Sequence, residues 1–112
     1  MIDNKRLILD ICNISIRAGN KILEYYKDNI EVTHKSDSSP LTKADLASNK
    51  IIKTALHNLD TTIPILSEES LVDWSTRKSW NKYWLVDPLD GTKEFIKKNG
   101  EFTVNIALIE KN

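Results

Sequence analysis

Tyr83-Trp84-Leu85-Val86-Asp87-Pro88-Leu89-Asp90-Gly91-Thr92 is the stretch that decides the fold. Its first four residues are an unbroken apolar run, as expected of a strand buried on both faces. The strand delivers two carboxylates at its end. Pro88 fixes one φ angle and Gly91 permits an unusual one, so Asp87 and Asp90 can turn toward a common point. Hard divalent cations such as Mg²⁺ take oxygen ligands, and a few carboxylates plus a substrate phosphate are their usual surroundings. If Lys93-Glu94-Phe95-Ile96 opens a helix, the amides of Gly91 and Thr92 face an anion. The plain alternative is an Asp-Pro turn closed by Asp90-Gly91. The apolar strand before it and the Thr after it weigh against that reading.

Upstream, Pro64-Ile65-Leu66-Ser67 is a short extended segment that runs into Glu68-Glu69. Two adjacent acids are ordinarily a solvated turn. If this strand end lies beside the one carrying Asp87, three carboxylates converge, and like charges at close range repel unless a cation intervenes. Mg²⁺ is implied by that arrangement. Earlier still, Thr42-Lys43-Ala44-Asp45 matches the pattern of a capping box and predicts a helix start. Ala47, Ile51, Ala55 and Leu59 make its apolar stripe, with Ile52 and Leu56 beside it, and 58–62 ends it. A second use of Asp45 is to hold the Thr92 hydroxyl and so position a water as nucleophile.

Residues 2–28 read as one amphipathic helix, with Leu7, Ile8, Ile11, Ile14, Ala18, Ile22 and Tyr25 recurring at three- and four-residue steps. Residues 34–40 have no period and read as a loop. Residues 71–82 hold Trp74 and Trp80 among polar residues and read as loop and turn. Asn99-Gly100 marks a turn. From Glu101 the chain alternates, with Phe102, Val104, Ile106 and Leu108 on one face and Thr103, Asn105, Ala107 and Ile109 on the other. Helices covering a sheet give an α+β class. A long apolar strand close to the chain end leaves an open edge that proteins ordinarily cover, so the four-residue face from Phe102 is expected to be exposed and the chain reads as cut short.

Composition excludes several classes. Sixteen Lys and Arg balance sixteen Asp and Glu, so no basic stripe is available for nucleic acid. The longest apolar runs are far short of a membrane span. Asp10 interrupts the N-terminal apolar stretch, against a signal peptide. Cys12 is the one cysteine; it fits a reducing cytoplasm and reads as a small core residue. A soluble cytoplasmic chain is expected. Lys35, Ser36, Ser38 and Ser39 read as a solvated loop, and Lys93, Lys97 and Lys98 as a solvated face, with Lys93 alone placed to attract a phosphate. His34 and His57 have no metal-ligand spacing. A haloacid-dehalogenase-type site would have one residue between its two acids; Pro88 and Leu89 make the gap two.

Glu68-Glu69 followed by Trp84-Leu85-Val86-Asp87-Pro88-Leu89-Asp90-Gly91-Thr92 resembles the inositol monophosphatase superfamily of Mg²⁺-dependent phosphatases. Lys93-Glu94-Phe95-Ile96, the 99–109 segment and Ser39-Pro40-Leu41-Thr42-Lys43-Ala44-Asp45 are similar to its bisphosphate nucleotidase branch. The resemblance implies a layered αβαβα sugar-phosphatase fold, of which residues 1–112 would be the N-terminal portion of a single domain. It implies Mg²⁺ held by Glu68, Asp87, Asp90 and the Leu89 carbonyl. Gly91 and Thr92 would bind phosphate, together with Glu68, Leu89 and Asp90, and Asp45 with Thr92 would orient the attacking water. Asp45, Glu68, Asp90 and Thr92 would thus be the catalytic set. The reaction implied is removal of the 3′-phosphate of 3′-phosphoadenosine 5′-phosphate, giving AMP and phosphate. An inositol- or sugar-phosphate phosphatase is the neighbouring alternative. A non-catalytic remnant that self-associates through its sheet edge is the other. The implied location is cytoplasmic, with peripheral contact at the inner membrane as a family expectation.

Overall fold

The computed structural model describes residues 4–26, 32–34, 40–97 and 100–111. The expectations for residues 2–3, 27–28, Lys35, Ser36, Ser38, Ser39, Lys98 and Asn99 fall outside them. Helix α1 spans Asn4–Tyr26 and buries Leu7, Ile14, Ala18 and Ile22. Helix α2 spans Lys43–Leu59. Between them, β1 (Val32–His34) and β2 (Pro40–Thr42) form a two-stranded antiparallel ladder, so both ends of the stretch read as loop are strand. Three paired residues on each side carry no periodicity by which sequence could reveal them.

The main sheet has the order β3-β4-β5. Strand β3 (Ile65–Ser67) runs parallel to β4 (Lys82–Asp90), with Ser67 opposite Val86. Strand β5 (Thr103–Glu110) runs antiparallel to β4 on the other side. Helix α3 (Trp74–Arg77) is a single turn inside the stretch expected to be loop; four residues are too few to display a period. The Arg77 guanidinium lies over the exposed Trp74 ring at 5.0 Å. Helix α4 (Thr92–Ile96) follows β4 after Gly91.

Both long helices cover one face of this sheet. Trp84 and Val86 of β4 pack with Ile52 and Leu56 of α2 and with Leu7, Ile14 and Ala18 of α1, and Val104, Ile106 and Leu108 lie against that core. The face of β5 expected to be exposed is instead half-buried, because α1 packs against it. A second cluster joins Ile22, Ala44, Leu89 and Phe95, with Phe102 packed against it. Phe95 meets Phe102 edge-on, with ring centroids 5.4 Å apart.

Four further expectations change once the buried faces are known. Leu85 is 43% exposed, so the apolar run of β4 is buried on one side only. Ile8 is 62% exposed and Cys12 is also exposed; the 3.6-residue period turns both away from the Leu7–Ile14–Ala18 seam. On α2 the buried face is Ala44, Asp45, Ser48, Asn49, Ile52 and Leu56, rotated from the predicted stripe, because its polar members have partners on the sheet side. Among the described residues no helix is long and apolar enough to cross a membrane.

Candidate active site

The site is assembled at the ends of β3 and β4. Parallel pairing puts Ser67 beside Val86, and the Glu68 amide extends the ladder by donating to the Val86 carbonyl at 3.1 Å. Glu68 therefore emerges next to Asp87, the condition on which convergence of the acids depended.

Asp87 and Asp90 share a face for a separate reason. In the β4–β5 ladder Asp87 stands opposite Asn105 and Asp90 opposite Thr103, with a register shift between them. Pro88 and Leu89 thus face Val104 alone, which is a β-bulge of one extra residue. Alternation would send residues three apart to opposite faces; the extra residue restores them to one face. Proline suits this place because it has no N–H to lose to an interrupted ladder. The Pro88 side chain is fully buried, and its carbonyl accepts from Ser48 Oγ of α2 at 2.6 Å. Gly91 then turns the chain with φ +93°, and a Cβ there would stand 2.7 Å from the Glu101 carbonyl oxygen. Only glycine fits that turn.

Asp45 has two tasks, one for each oxygen. Oδ2 accepts from the Thr42 amide at 2.9 Å and from Thr42 Oγ1 at 2.5 Å, the reciprocal half of the capping box. Oδ1 accepts from Thr92 Oγ1 at 2.9 Å. The helix cap and the Thr92 tether are the same buried carboxylate. Leu89 presents its carbonyl 3.3 Å from Thr92 Oγ1.

The acids repel. Burial pushes the Asp87 carboxyl up to about 6, and the charges of Asp90, Glu68 and Glu69 add to it, while the Leu89 amide that donates to it works the other way. As the side chains stand, no three His, Cys, Asp or Glu groups among the described residues are gathered closely enough to hold a metal ion. The donor set itself is oxygen-only and anionic, with Asp87 half-buried and Glu68 and Asp90 exposed, and oxygen ligands suit a hard divalent cation, so these residues fit Mg²⁺ by chemistry.

Sequence reasoning missed three residues of α2 and the sheet that hold this arrangement together. Besides Ser48, Asn49 Oδ1 accepts from Ser67 Oγ at 2.5 Å, and Ser67 Oγ in turn accepts from the Glu69 amide at 3.3 Å. Asp45, Ser48 and Asn49, spaced i, i+3, i+4, are one helical face that ties down both acidic strand ends, Asn49 through Ser67 and the other two through Thr92 and Pro88. That polar triplet in line with Ile52 and Leu56 was the available signal. The third residue is Asn105, whose Nδ2 donates to Asp90 Oδ2 at 3.1 Å. Lys93 lies exposed in the first turn of α4, and His57 is exposed at the far end of α2.

Known proteins share the sequence and the fold of this chain. The bisphosphate nucleotidase CysQ of Escherichia coli O6:H1 is 51% identical over 102 residues, which are 89% of this chain and 42% of that protein. The crystal structure of CysQ from Bacteroides thetaiotaomicron, a bacterial member of the inositol monophosphatase family, is 46% identical and superposes with a TM-score of 0.73, covering 91% of this chain and 37% of its own. The extragenic suppressor protein suhB from Bartonella henselae is 27% identical with a TM-score of 0.83, over 95% and 41%. The chain spans about two fifths of the length of the curated relatives it matches. The inositol monophosphatase family, which is metal-dependent, matches residues 3–112: this chain belongs to that family.

Proposed function

We propose that this chain provides the carboxylate cluster and the nucleophile-orienting pair of a Mg²⁺-dependent phosphomonoesterase acting on 3′-phosphoadenosine 5′-phosphate, with AMP and phosphate as products. The observation that carries it is the joint placement of Glu68, Asp87 and Asp90 at adjoining strand ends, with Thr92 hydrogen-bonded to Asp45 at 2.9 Å beside them. The relatives at about half identity are nucleotidases by name, which favours a nucleotide over an inositol or sugar phosphate.

Glu68, Asp87, Asp90 and the Leu89 carbonyl would hold the metal, which when bound neutralises phosphate charge and shields the leaving oxygen. Thr92 Oγ1 donates its hydrogen bond to Asp45 Oδ1, so its lone pairs are left to accept from a water and aim that water at phosphorus. Asp45, held by two bonds from Thr42, cannot swing away from this task. Attack would form the new P–O bond as the bond to the ribose 3′-oxygen breaks; the attacking water's proton would pass toward the Thr92–Asp45 pair, and a solvent water would supply the proton that the departing 3′-oxygen takes up. The Gly91–Thr92 backbone, turned by the positive φ, would take a phosphate oxygen. The described elements would be one portion of a single αβαβα domain, cytoplasmic, with peripheral contact at the inner membrane.

The test joins residues 1–112 to the remaining portion of the Escherichia coli relative and measures phosphate release from 3′-phosphoadenosine 5′-phosphate and from inositol 1-phosphate in Mg²⁺. Faster release from the nucleotide is expected. Asp90→Asn should lower turnover by orders of magnitude, and Thr92→Ala by about 10²–10⁴-fold. Near-full activity of the Asp90→Asn protein would overturn the reading, and faster release from inositol 1-phosphate would transfer it to the sugar-phosphate class.

A further inference from the structure

We propose that Asn105 is a positioning residue for Asp90: its side-chain amide fixes the rotamer of that carboxylate so that one oxygen is left free and aimed at the cation. The inference rests on the metal-site reading. Asn105 stands opposite Asp87 at the last regular pair of an unbroken run that begins at Lys82 and Glu110. The ladder therefore fixes its backbone. Because the bulge returns Asp90 to the same face, the Asn105 side chain reaches past its direct partner, Asp87, and donates through Nδ2 to Asp90 Oδ2 at 3.1 Å. Asp90 is exposed, and an exposed carboxylate with no tether samples several rotamers. A donor on Oδ2 selects one of them and leaves Oδ1 unengaged by this bond.

The residue type matters as much as the position. A lysine here would neutralise the cluster and compete with the metal for Asp90. A carboxylate would add to the repulsion already raising Asp87. A neutral amide donates without doing either, and partners of this kind behind a ligand set both its orientation and the affinity of the site.

Mg²⁺ titration calorimetry of the 112-residue chain tests this with Asn105→Ala, Asn105→Leu, Asp90→Asn and the double variant Asn105→Ala with Asp90→Asn. Asn105→Leu keeps the volume and Asn105→Ala removes it, so the two together separate loss of the donor from loss of packing. Both should weaken Mg²⁺ binding about tenfold with unchanged thermal unfolding in chelator. Asp90→Asn should weaken it at least as much, and the double variant should bind no worse than Asp90→Asn alone, since Asn105 acts only through Asp90. In the metal-free chain, Asp90→Asn should also shift the Asn105 side-chain amide resonances. Wild-type affinity in Asp90→Asn would sink the metal site and this inference with it. Weakened binding in Asp90→Asn beside wild-type binding in both Asn105 variants would overturn the inference and leave the metal site standing. Additive losses in the double variant would overturn it too.

Discussion

At the scale of single residues, Asp87 is the most informative group. Its carboxyl is raised to about 6 from an ordinary 3.8, so the folded state holds its proton more tightly than the unfolded state does. Folding stability therefore falls as pH rises from about 4 to about 6, and the loss persists above that window. The full shift would be near 3 kcal/mol at about 1.36 kcal/mol per unit. Asp87 is only half-buried, and solvent screening brings the expected effect to about 1–2 kcal/mol. Asp87→Asn should accordingly raise the thermal midpoint of the metal-free chain at pH 7 and leave it unchanged at pH 4. Saturating Mg²⁺ should remove the difference by stabilising only the wild type. A variant no more stable than wild type at pH 7 in chelator would show that the cluster carries no strain.

At the scale of elements, the bulge in β4 and the polar face of α2 act as one device. Ser48→Ala would leave the buried Pro88 carbonyl without its donor, an expected loss of about 1–3 kcal/mol. Denaturant unfolding reads this directly, and a change under about 0.5 kcal/mol would mean that the carbonyl finds another partner. Gly91→Ala fails for two reasons, the positive φ and the 2.7 Å approach to the Glu101 carbonyl. A non-glycine residue held at such a φ costs about 1–2 kcal/mol before any clash, so Gly91→Ala should be more damaging than Gly19→Ala, where a Cβ meets nothing within 4 Å. Equal midpoints for the two would refute the turn geometry.

At the scale of the whole molecule, the helices cover one sheet face and, among the described residues, leave Leu85 on the other exposed. Leu85 lies on the uncovered face, and α1 presents Ile8, Leu9, Ile16 and Leu23 outward, each at least half exposed. Among the described residues strand β5 ends the sheet order, and an unpaired strand edge beside apolar surface invites another chain. Burying one large aliphatic side chain contributes about 1.5–3 kcal/mol, so several together can drive association. The 112-residue chain is expected to self-associate, and Leu85→Lys with Ile16→Lys should reduce the apparent mass in light scattering across a dilution series. A wild-type monomer at high concentration would refute this.

Local chemistry made much of this legible in advance. The capping box at Thr42–Asp45, the long amphipathic helix and the alternation from Glu101 each follow from short-range periodicity and hydrogen bonding, which a sequence carries in its own spacing. So does the oxygen-rich motif from Asp87 to Thr92, whose residue types restrict the ligand chemistry. Tertiary structure alone decided which faces are inside. Nothing in Phe102, Val104, Ile106 and Leu108 says that α1 crosses them, and nothing in Tyr83–Val86 says that only one side of β4 is covered. The inward turn of Ser48 and Asn49 depends on Pro88 and Ser67, 40 and 18 residues away. The meeting of Glu68 with Asp87 likewise needed the parallel pairing of β3 with β4, a long-range contact whose register no local pattern specifies.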